Sequence, residues 1–169
     1  MIINLHKVNL KKKYPLQISR GIHSNSQNIF VELIKDGITS WGESAPGLNE
    51  GAASSFEVED ALKKLIDSDL DNLSIYEIHQ RSKDLNIPPC AYAALDTALW
   101  DWHAQKAQMP LYQFLGLPCP KTPTSLTIGI NPPEVIKERV ETVISNPEVK
   151  ALKIKLGSPD GIEYDKLIY

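Results

Sequence analysis

Ala91-Tyr92-Ala93-Ala94-Leu95-Asp96-Thr97-Ala98-Leu99-Trp100-Asp101-Trp102 is rich in alanine and apolar on most of its sides. Alanine has the highest helix propensity, and a helix that is apolar nearly all round is normally buried by other layers. Pro88-Pro89 comes just before this run, and proline is common at the first position of a helix. We therefore predict a central helix from Cys90 to Ala107, packed closely between other layers of the fold.

The N-terminal part of the chain is predicted to contain three strands. Residues 2–10 alternate apolar and polar side chains, and Ile29–Ile34 and Ile38–Glu43 are predicted as two further strands. Asp36-Gly37 favours a hairpin turn between them, because glycine accepts the positive φ of such turns. The small residues of Ser19–Ser26 have little to bury, so this stretch is predicted to be a mobile surface loop.

Two more helices are predicted between these strands and the central helix. One begins near Ser55, where apolar residues recur at near-helical spacing. The other begins near Ser74, because Ser74 and Glu77 have the spacing of a capping box. In that motif, each of the two side chains satisfies an exposed amide at the start of a helix.

A strand, a helix and a second strand are predicted on the C-terminal side. Residues 117–120 form a proline-containing linker, Thr124–Ile130 a strand, Glu134–Ser145 an amphipathic helix, and Ala151–Leu156 the second strand. Such a βαβ unit normally joins neighbouring parallel strands, so a parallel sheet or a (β/α) barrel begins here. A helix start near Asp160 follows. Because two parallel strands cannot close a barrel, the barrel is predicted to be incomplete.

Composition and charge exclude several classes of protein. The 169 residues carry a net charge of −3 and 42% apolar residues, which is typical of a soluble globular protein of one or two units. Apart from Lys11-Lys12-Lys13 the chain has no basic stripe, so nucleic acid is not an expected partner. Cys90 and Cys119 lack a metal-type spacing and are predicted to be reduced thiols. No segment has the roughly 18 apolar residues that a membrane span needs, so we expect no membrane partner and a cytoplasmic location.

Two lysines in Leu152-Lys153-Ile154-Lys155-Leu156 are the main candidates for chemistry. Side chains alternate along a strand, so both ammonium groups share one face and the apolar residues share the other. On a sheet with one wet face, this pattern indicates only a solvated side. In a parallel strand both faces are usually buried, so the preceding βαβ unit favours lysines that face a barrel interior.

Lysines in that position suit proton transfer. Repulsion and partial desolvation would favour the neutral amine on at least one of them, as a general base requires. Such a base can remove the weakly acidic proton next to a carboxylate if the resulting enediolate is stabilised, commonly by a divalent metal. The chain has no acidic cluster at suitable places and its four histidines are dispersed, so no metal ligand is assigned.

Three motifs in order resemble the enolase superfamily. Residues 94–102, continued by Pro110–Gly116, resemble the helix that links capping domain and barrel, and Trp41–Pro46 is similar to a hairpin-end motif of the capping domain. Lys153-Ile154-Lys155 looks like the KxK motif on the second barrel strand of the muconate-lactonizing subgroup. The resemblance implies an α+β capping domain over residues 1–118, including the linking helix. Residues 119–169 would then form the first βαβ part of a (β/α) barrel, which is incomplete.

Within that subgroup, Thr124–Gly129 resembles the first barrel strand of the dipeptide epimerases. The resemblance implies that Lys155 is one of two acid/base lysines, and that Lys153 favours its neutral form and stabilises negative charge. Thr127 would line the substrate pocket, and Arg20 would meet a substrate carboxylate through paired hydrogen bonds. The alternatives are an ordinary exposed arginine at residue 20 and a β-branched strand residue at 127.

The resemblance also implies a metal cofactor, a class of substrate and a catalytic site that this chain only partly contains. The complete enzyme would use Mg²⁺, with its ligands and the second lysine outside this chain, so the chain alone is expected not to epimerise a dipeptide or other carboxylate substrate. Self-association is expected through apolar surface around Val149, Leu152 and Ile154. N-acylamino acid racemase, o-succinylbenzoate synthase and muconate cycloisomerase share the KxK pattern. A non-catalytic capping-domain fragment or interaction module is the alternative from another class.

Overall fold

The computed structural model describes residues 1–119 and 121–168. The strands of these residues form a three-stranded sheet with the order β1-β2-β3 and a two-stranded sheet of β4 and β5. The elements, in chain order, are β1 (Ile2–Ile18), β2 (Gly21–Lys35), β3 (Ile38–Ser44), α1 (Ser55–Ile66), α2 (Ile75–Asp84), α3 (Pro89–Lys106), α4 (Leu111–Phe114), β4 (Ser125–Ile128), α5 (Pro133–Ile144), β5 (Ala151–Ile154) and α6 (Ile162–Ile168). None of the helices in this part of the chain combines the length and the apolar character needed to cross a membrane.

The chain folds as two compact units. The first comprises Met1–Leu10 and Ser26–Cys119, and the second comprises Lys11–Asn25 together with the segment that follows Cys119. The tip formed by the end of β1 and the start of β2 therefore packs with the C-terminal unit, although it lies early in the sequence.

The first unit is built around α3, which confirms the predicted central helix. Its buried side chains pack against β3, α1 and α2 in one apolar core. The Trp102 indole N–H donates to the Lys35 carbonyl at 2.9 Å, and the Asp101 carboxylate accepts the Trp41 backbone N–H at 3.1 Å. The helix is thus fixed to the β2–β3 hairpin by burial and by directed bonds.

The capping box predicted at Ser74 and Glu77 was also confirmed. The Ser74 hydroxyl accepts the Glu77 backbone N–H, and the Glu77 carboxylate accepts the Ser74 N–H at 2.8 Å, which completes the predicted capping box. At the start of α1, the Ser54 oxygen accepts the N–H of Glu57 in the same way. Both helices therefore begin where their orphan amides find a side-chain acceptor.

The predicted mobile loop at Ser19–Ser26 was wrong. Only Ser19 and Arg20 form a turn, and β2 already begins at Gly21. The physical reason is non-local. The Gln17 carbonyl accepts the Ile130 N–H at 2.9 Å, and the Arg139 guanidinium lies 4.4 Å from the Tyr14 ring centre, so the C-terminal unit stabilises an extended tip.

The second unit confirms the predicted βαβ order. Strands β4 and β5 pair in parallel, with α5 between them in sequence. The side chain of Ile128 is 1% exposed and that of Ile136 on α5 is 5% exposed, so the helix buries this part of the sheet. Strand β5 ends at Ile154, two residues earlier than predicted.

Candidate functional site

Thr127 and Lys153 are direct partners in the parallel pair of β4 and β5. Partners in parallel strands point to the same face of a sheet, so these two side chains lie side by side. Lys155 follows the last residue of β5, and its backbone N–H donates to the Ile128 carbonyl at 2.9 Å. The ladder therefore continues to Lys155, which brings three of the four sequence-predicted site residues to one end of the strand pair.

The two faces of this pair differ in character. Thr127 and Lys155 are half-buried and Lys153 is exposed. On the other face α5 covers Ile128, whereas Leu126 and Ile154 are 44% and 36% exposed. The division into a lysine face and an apolar face agrees with the alternation in the sequence, and helix cover of the apolar face is partial.

The tip of the β1–β2 pair lies at the same end of the strands. Gly129, just after β4, approaches the Gln17 backbone so closely that a β-carbon there would lie 2.8 Å from the Gln17 nitrogen. A β-carbon on Gly157, just after β5, would lie 3.4 Å from that of Ser19. The turn that contains Arg20 is therefore placed where β4 and β5 end, the edge at which parallel sheets usually bind ligands.

Arg20 itself is exposed in this turn. Within residues 1–119 and 121–168, its guanidinium has no ion-pair partner. The structure therefore brings its backbone to the lysine-bearing edge and leaves its donors available.

Two residues of α6 at this edge were missed by the sequence reasoning. The Asp165 carboxylate accepts the backbone N–H groups of Gly157 and Ser158, which follow Lys155. The Tyr164 hydroxyl donates to the Asn131 carbonyl at 3.3 Å. No local sequence pattern predicts these contacts, because an acidic and an aromatic residue are common on any short helix.

The protonation state of Tyr164 supports its role as a donor. Burial raises the pKa of Tyr164, and the negative charges of Asp160 and Glu134 raise it further. The hydroxyl therefore keeps its proton at neutral pH and can hold the segment after β4.

The described residues do not fit a metal site. Among them, no three side chains of the histidine, cysteine, aspartate and glutamate types lie together so that they could hold an ion. What these residues do offer at the strand ends is a pair of amines, a hydroxyl and a guanidinium.

Comparison with known proteins gives these features a family context. Residues 2–116 match the family described as mandelate racemase / muconate lactonizing enzyme, N-terminal domain. A hydrophobic dipeptide epimerase of Flavobacteria bacterium (strain MS024-2A) is 56% identical over 169 residues, which cover 100% of this chain and 48% of the relative. A hydrophobic dipeptide epimerase of Roseobacter litoralis is 44% identical over 169 residues, with the same two coverages.

Solved structures agree with the sequence relatives. A dipeptide epimerase from Enterococcus faecalis V583, complexed with Mg and the dipeptide L-Leu-L-Tyr, matches with a TM-score of 0.87 at 28% identity, over 98% of this chain and 47% of that one. A dipeptide epimerase from Cytophaga hutchinsonii, complexed with Mg and D-Ala-L-Val, matches with a TM-score of 0.83 at 26% identity and the same coverages.

The chain spans about half the length of the curated relatives it matches. The family match itself covers α3 and the whole three-stranded sheet. The chain therefore belongs to the mandelate racemase and muconate lactonizing enzyme family of the enolase superfamily, and it is most like the dipeptide epimerases.

Proposed function

We propose that this chain is the N-terminal part of a dipeptide epimerase. In the reaction, the proton α to the substrate carboxylate leaves as a proton, and its bonding electrons spread into the carboxylate as an enediolate. A proton returned on the opposite face of that carbon gives the epimer. We assign Lys155 as the base on one face and as the acid in the reverse direction.

The observation that carries the proposal is the alignment of Thr127 with Lys153, with Lys155 bonded next along the ladder. The alignment holds two ammonium groups on neighbouring positions of one face. A lysine amine can take up a proton and return it, so a lysine on this face is chemically suited to move the α-proton. Lys153, on the same face, would stabilise the negative charge that develops on the substrate.

Thr127 and Arg20 are assigned to substrate placement. Thr127 is half-buried and pairs with Lys153, so its hydroxyl could contact a group bound on the lysine face. The Ser19–Arg20 turn lies at the same edge, and a guanidinium forms paired hydrogen bonds with a carboxylate. These two residues would therefore hold the dipeptide so that its α-carbon lies near the Lys155 amine.

The part assigned to these residues is proton transfer and substrate placement. The Mg that the two solved relatives contain would have to be held by residues outside those described, because the described residues do not form a metal site. Bound magnesium supplies positive charge that stabilises an enediolate. We propose that residues 1–118 form the capping domain and that residues 119–169 begin a (β/α) barrel.

A hydrophobic dipeptide is the first substrate to test, because the relatives with 56% and 44% identity are hydrophobic dipeptide epimerases. Ala-Glu and N-acylamino acids belong in the same panel, since related racemases share the KxK pattern. We propose a cytoplasmic location, consistent with Cys90 and Cys119, which are not joined in a disulfide.

The test uses a fusion of residues 1–169 to the second half of the Flavobacteria bacterium relative, hereafter the fusion protein. It is incubated with Mg²⁺ and the dipeptide panel in deuterated water, and α-proton exchange and epimerisation are followed by NMR. We expect exchange by the fusion protein. Lys155→Ala should abolish epimerisation, whereas Lys121→Ala, an exposed lysine outside the strands, should leave it unchanged.

A fusion protein that is folded by circular dichroism and exchanges no α-proton of the panel would overturn the proposal. That result would favour a non-catalytic interaction module. Full epimerisation by the Lys155→Ala variant would overturn the assignment of this lysine while leaving the reaction class in place.

A further inference from the structure

We propose that Asp165 is a positioning residue for Lys155, an inference that rests on the proposed function. Both carboxylate oxygens of Asp165 accept the Gly157 N–H, at 3.1 and 2.9 Å, and one of them also accepts the Ser158 N–H at 3.2 Å. Gly157 is the second residue after Lys155. Asp165 on α6 thus fixes the backbone of the segment that follows Lys155, the candidate base.

The segment between Lys155 and α6 needs such a partner. Gly157 has a φ of 98°, so the chain turns sharply there and its amides leave the β4–β5 ladder. Amides that point to a carboxylate form charge-assisted hydrogen bonds, which are roughly twice as strong as neutral ones. Asp165 therefore replaces the strand partner that the turning backbone has lost.

Lys155 is consequently held from both sides. Its own N–H is bonded to the Ile128 carbonyl at 2.9 Å, and the backbone two residues later is bonded to Asp165. With the Cα fixed in this way, the amine can move only by changing side-chain rotamer. A base must lie within hydrogen-bond reach of the proton it removes, so this restraint bears directly on the rate.

The carboxylates nearest to Asp165 in sequence bind other side chains. Glu163 forms an exposed ion pair with Lys166 at 2.7 Å, and the Asp160 carboxylate accepts the Ser158 hydroxyl at 3.1 Å. In the described part of the chain, Asp165 has no ion-pair partner, and its oxygens are bonded to the Gly157 and Ser158 amides. Asp165 is therefore specific to the segment after β5, and Glu163 on the same helix provides a matched control.

The kinetic test exploits the two faces of the reaction. A base on one face of the α-carbon removes the proton of one epimer, and the opposite base removes that of the other. In the fusion protein, the Lys155→Ala variant identifies the epimer whose exchange depends on Lys155. For Asp165→Ala we expect kcat for exchange of that epimer to fall about tenfold to a hundredfold with little change in KM. Exchange of the other epimer should be retained.

The conservative variant refines this expectation. Asp165→Asn keeps one carbonyl oxygen as an acceptor, so its loss should be smaller than that of Asp165→Ala. Glu163→Gln should match the parent protein with both epimers. Equal losses for the two epimers in Asp165→Ala would show a general structural role and would overturn the proposal, as would unchanged exchange of both.

A second measurement separates this inference from the proposed function. Amide hydrogen exchange at Gly157 and Ser158 is measured by NMR in the 169-residue chain, with and without Asp165→Ala. We expect exchange at these amides to become about tenfold faster in the variant, while the amides of α3 keep their protection. Unchanged protection at Gly157 and Ser158 would overturn the positioning role whatever the activity of the fusion protein.

Discussion

Gly42 of β3 lies directly against the backbone of Ala94 in α3. A β-carbon on Gly42 would overlap the Ala94 carbonyl oxygen, and it would lie 2.9 Å from the Ala94 carbonyl carbon and 3.0 Å from the Ala98 nitrogen. Ala94 and Ala98 are both fully buried. The small residues of the helix and the missing side chain of the strand together allow α3 to approach the sheet this closely.

We therefore expect Gly42→Ala to destabilise the chain by about 3 kcal/mol or more, because the new methyl group would meet backbone atoms that cannot rotate away. Urea unfolding followed by circular dichroism measures the change. Gly47→Ala is the control, since its β-carbon would meet only the flexible end of the Glu50 side chain, and it should cost less than about 1 kcal/mol. Equal stability of the Gly42→Ala variant and the parent would show that the helix does not depend on this contact.

The central helix and the βαβ order could be predicted because their signals are local. Alanine content and a leading proline identify α3. A leading proline and helical periodicity identify α5, and apolar residues that alternate with polar ones identify β4 and β5. The tip at Ser19–Ser26 could not be predicted. Its small polar residues are typical of a loop. The end of β1 beside it contacts residues more than a hundred positions away, through Gln17 with Ile130 and through Tyr14 with Arg139.

The candidate site also contains some residues that local sequence signals predict and others that only the folded structure reveals. Alternation along one strand was enough to place Lys153 and Lys155 on a common face, and parallel pairing then aligned Thr127 with Lys153. Asp165 has no comparable signal, because its partners are backbone amides that any sequence has. Only the turn of the chain at Gly157 brings those amides to the carboxylate.

The 169-residue chain alone is expected not to exchange the α-proton of a dipeptide. In the proposed mechanism Lys155 serves one face of the α-carbon, and the enediolate needs a metal ion, for which the described residues form no site. Purified chain is incubated with Mg²⁺ and the same dipeptide panel in deuterated water and followed by NMR, with the fusion protein as the positive control. Exchange by the chain alone would contradict this expectation.

Gly129→Ala is expected to release the tip formed by Lys11–Asn25. A β-carbon on Gly129 would lie 2.8 Å from the Gln17 nitrogen and 2.9 Å from its carbonyl oxygen, so the two backbones would have to separate. Trypsin cleavage after Arg20 should then become about tenfold faster. Ser125→Ala, at an exposed position of β4, should cleave at the parental rate. Parental cleavage of the Gly129→Ala chain would show that the tip is held by other contacts.

Self-association of the chain is expected through the apolar face of β4 and β5. Leu152, Ile154, Leu156 and Ile168 line an open depression on this face. Exposed apolar surface of this kind favours association. Light scattering should therefore show a mass that rises with concentration, and Leu156→Lys should reduce the rise. Ile22→Lys changes an exposed apolar residue of β2 and should not reduce it. A parent chain that stays monomeric at all concentrations would contradict this prediction.

His103 is expected to make the stability of the chain depend on pH near neutrality. Burial lowers the pKa of His103 from its ordinary value of 6.5, and the positive charges of Lys35 and Lys106 lower it further. The ring lies 4.8 Å from that of Trp102, edge to face, so the neutral imidazole is part of an aromatic contact.

The sign follows from proton binding by the two states. Between the lowered pKa of the folded chain and 6.5, the unfolded chain binds more protons at this residue. The stabilising contribution is therefore complete above pH 6.5 and is lost as the pH falls toward the lowered pKa. Urea unfolding at several values from about pH 7.5 to about pH 5 should show the free energy of unfolding decrease.

His103→Gln should flatten this slope whatever it does to the absolute stability, because glutamine does not titrate. His23→Gln, at an exposed position, should keep the parental slope. If His103→Gln and the parent chain lose stability in parallel over this range, another group is responsible for the pH dependence.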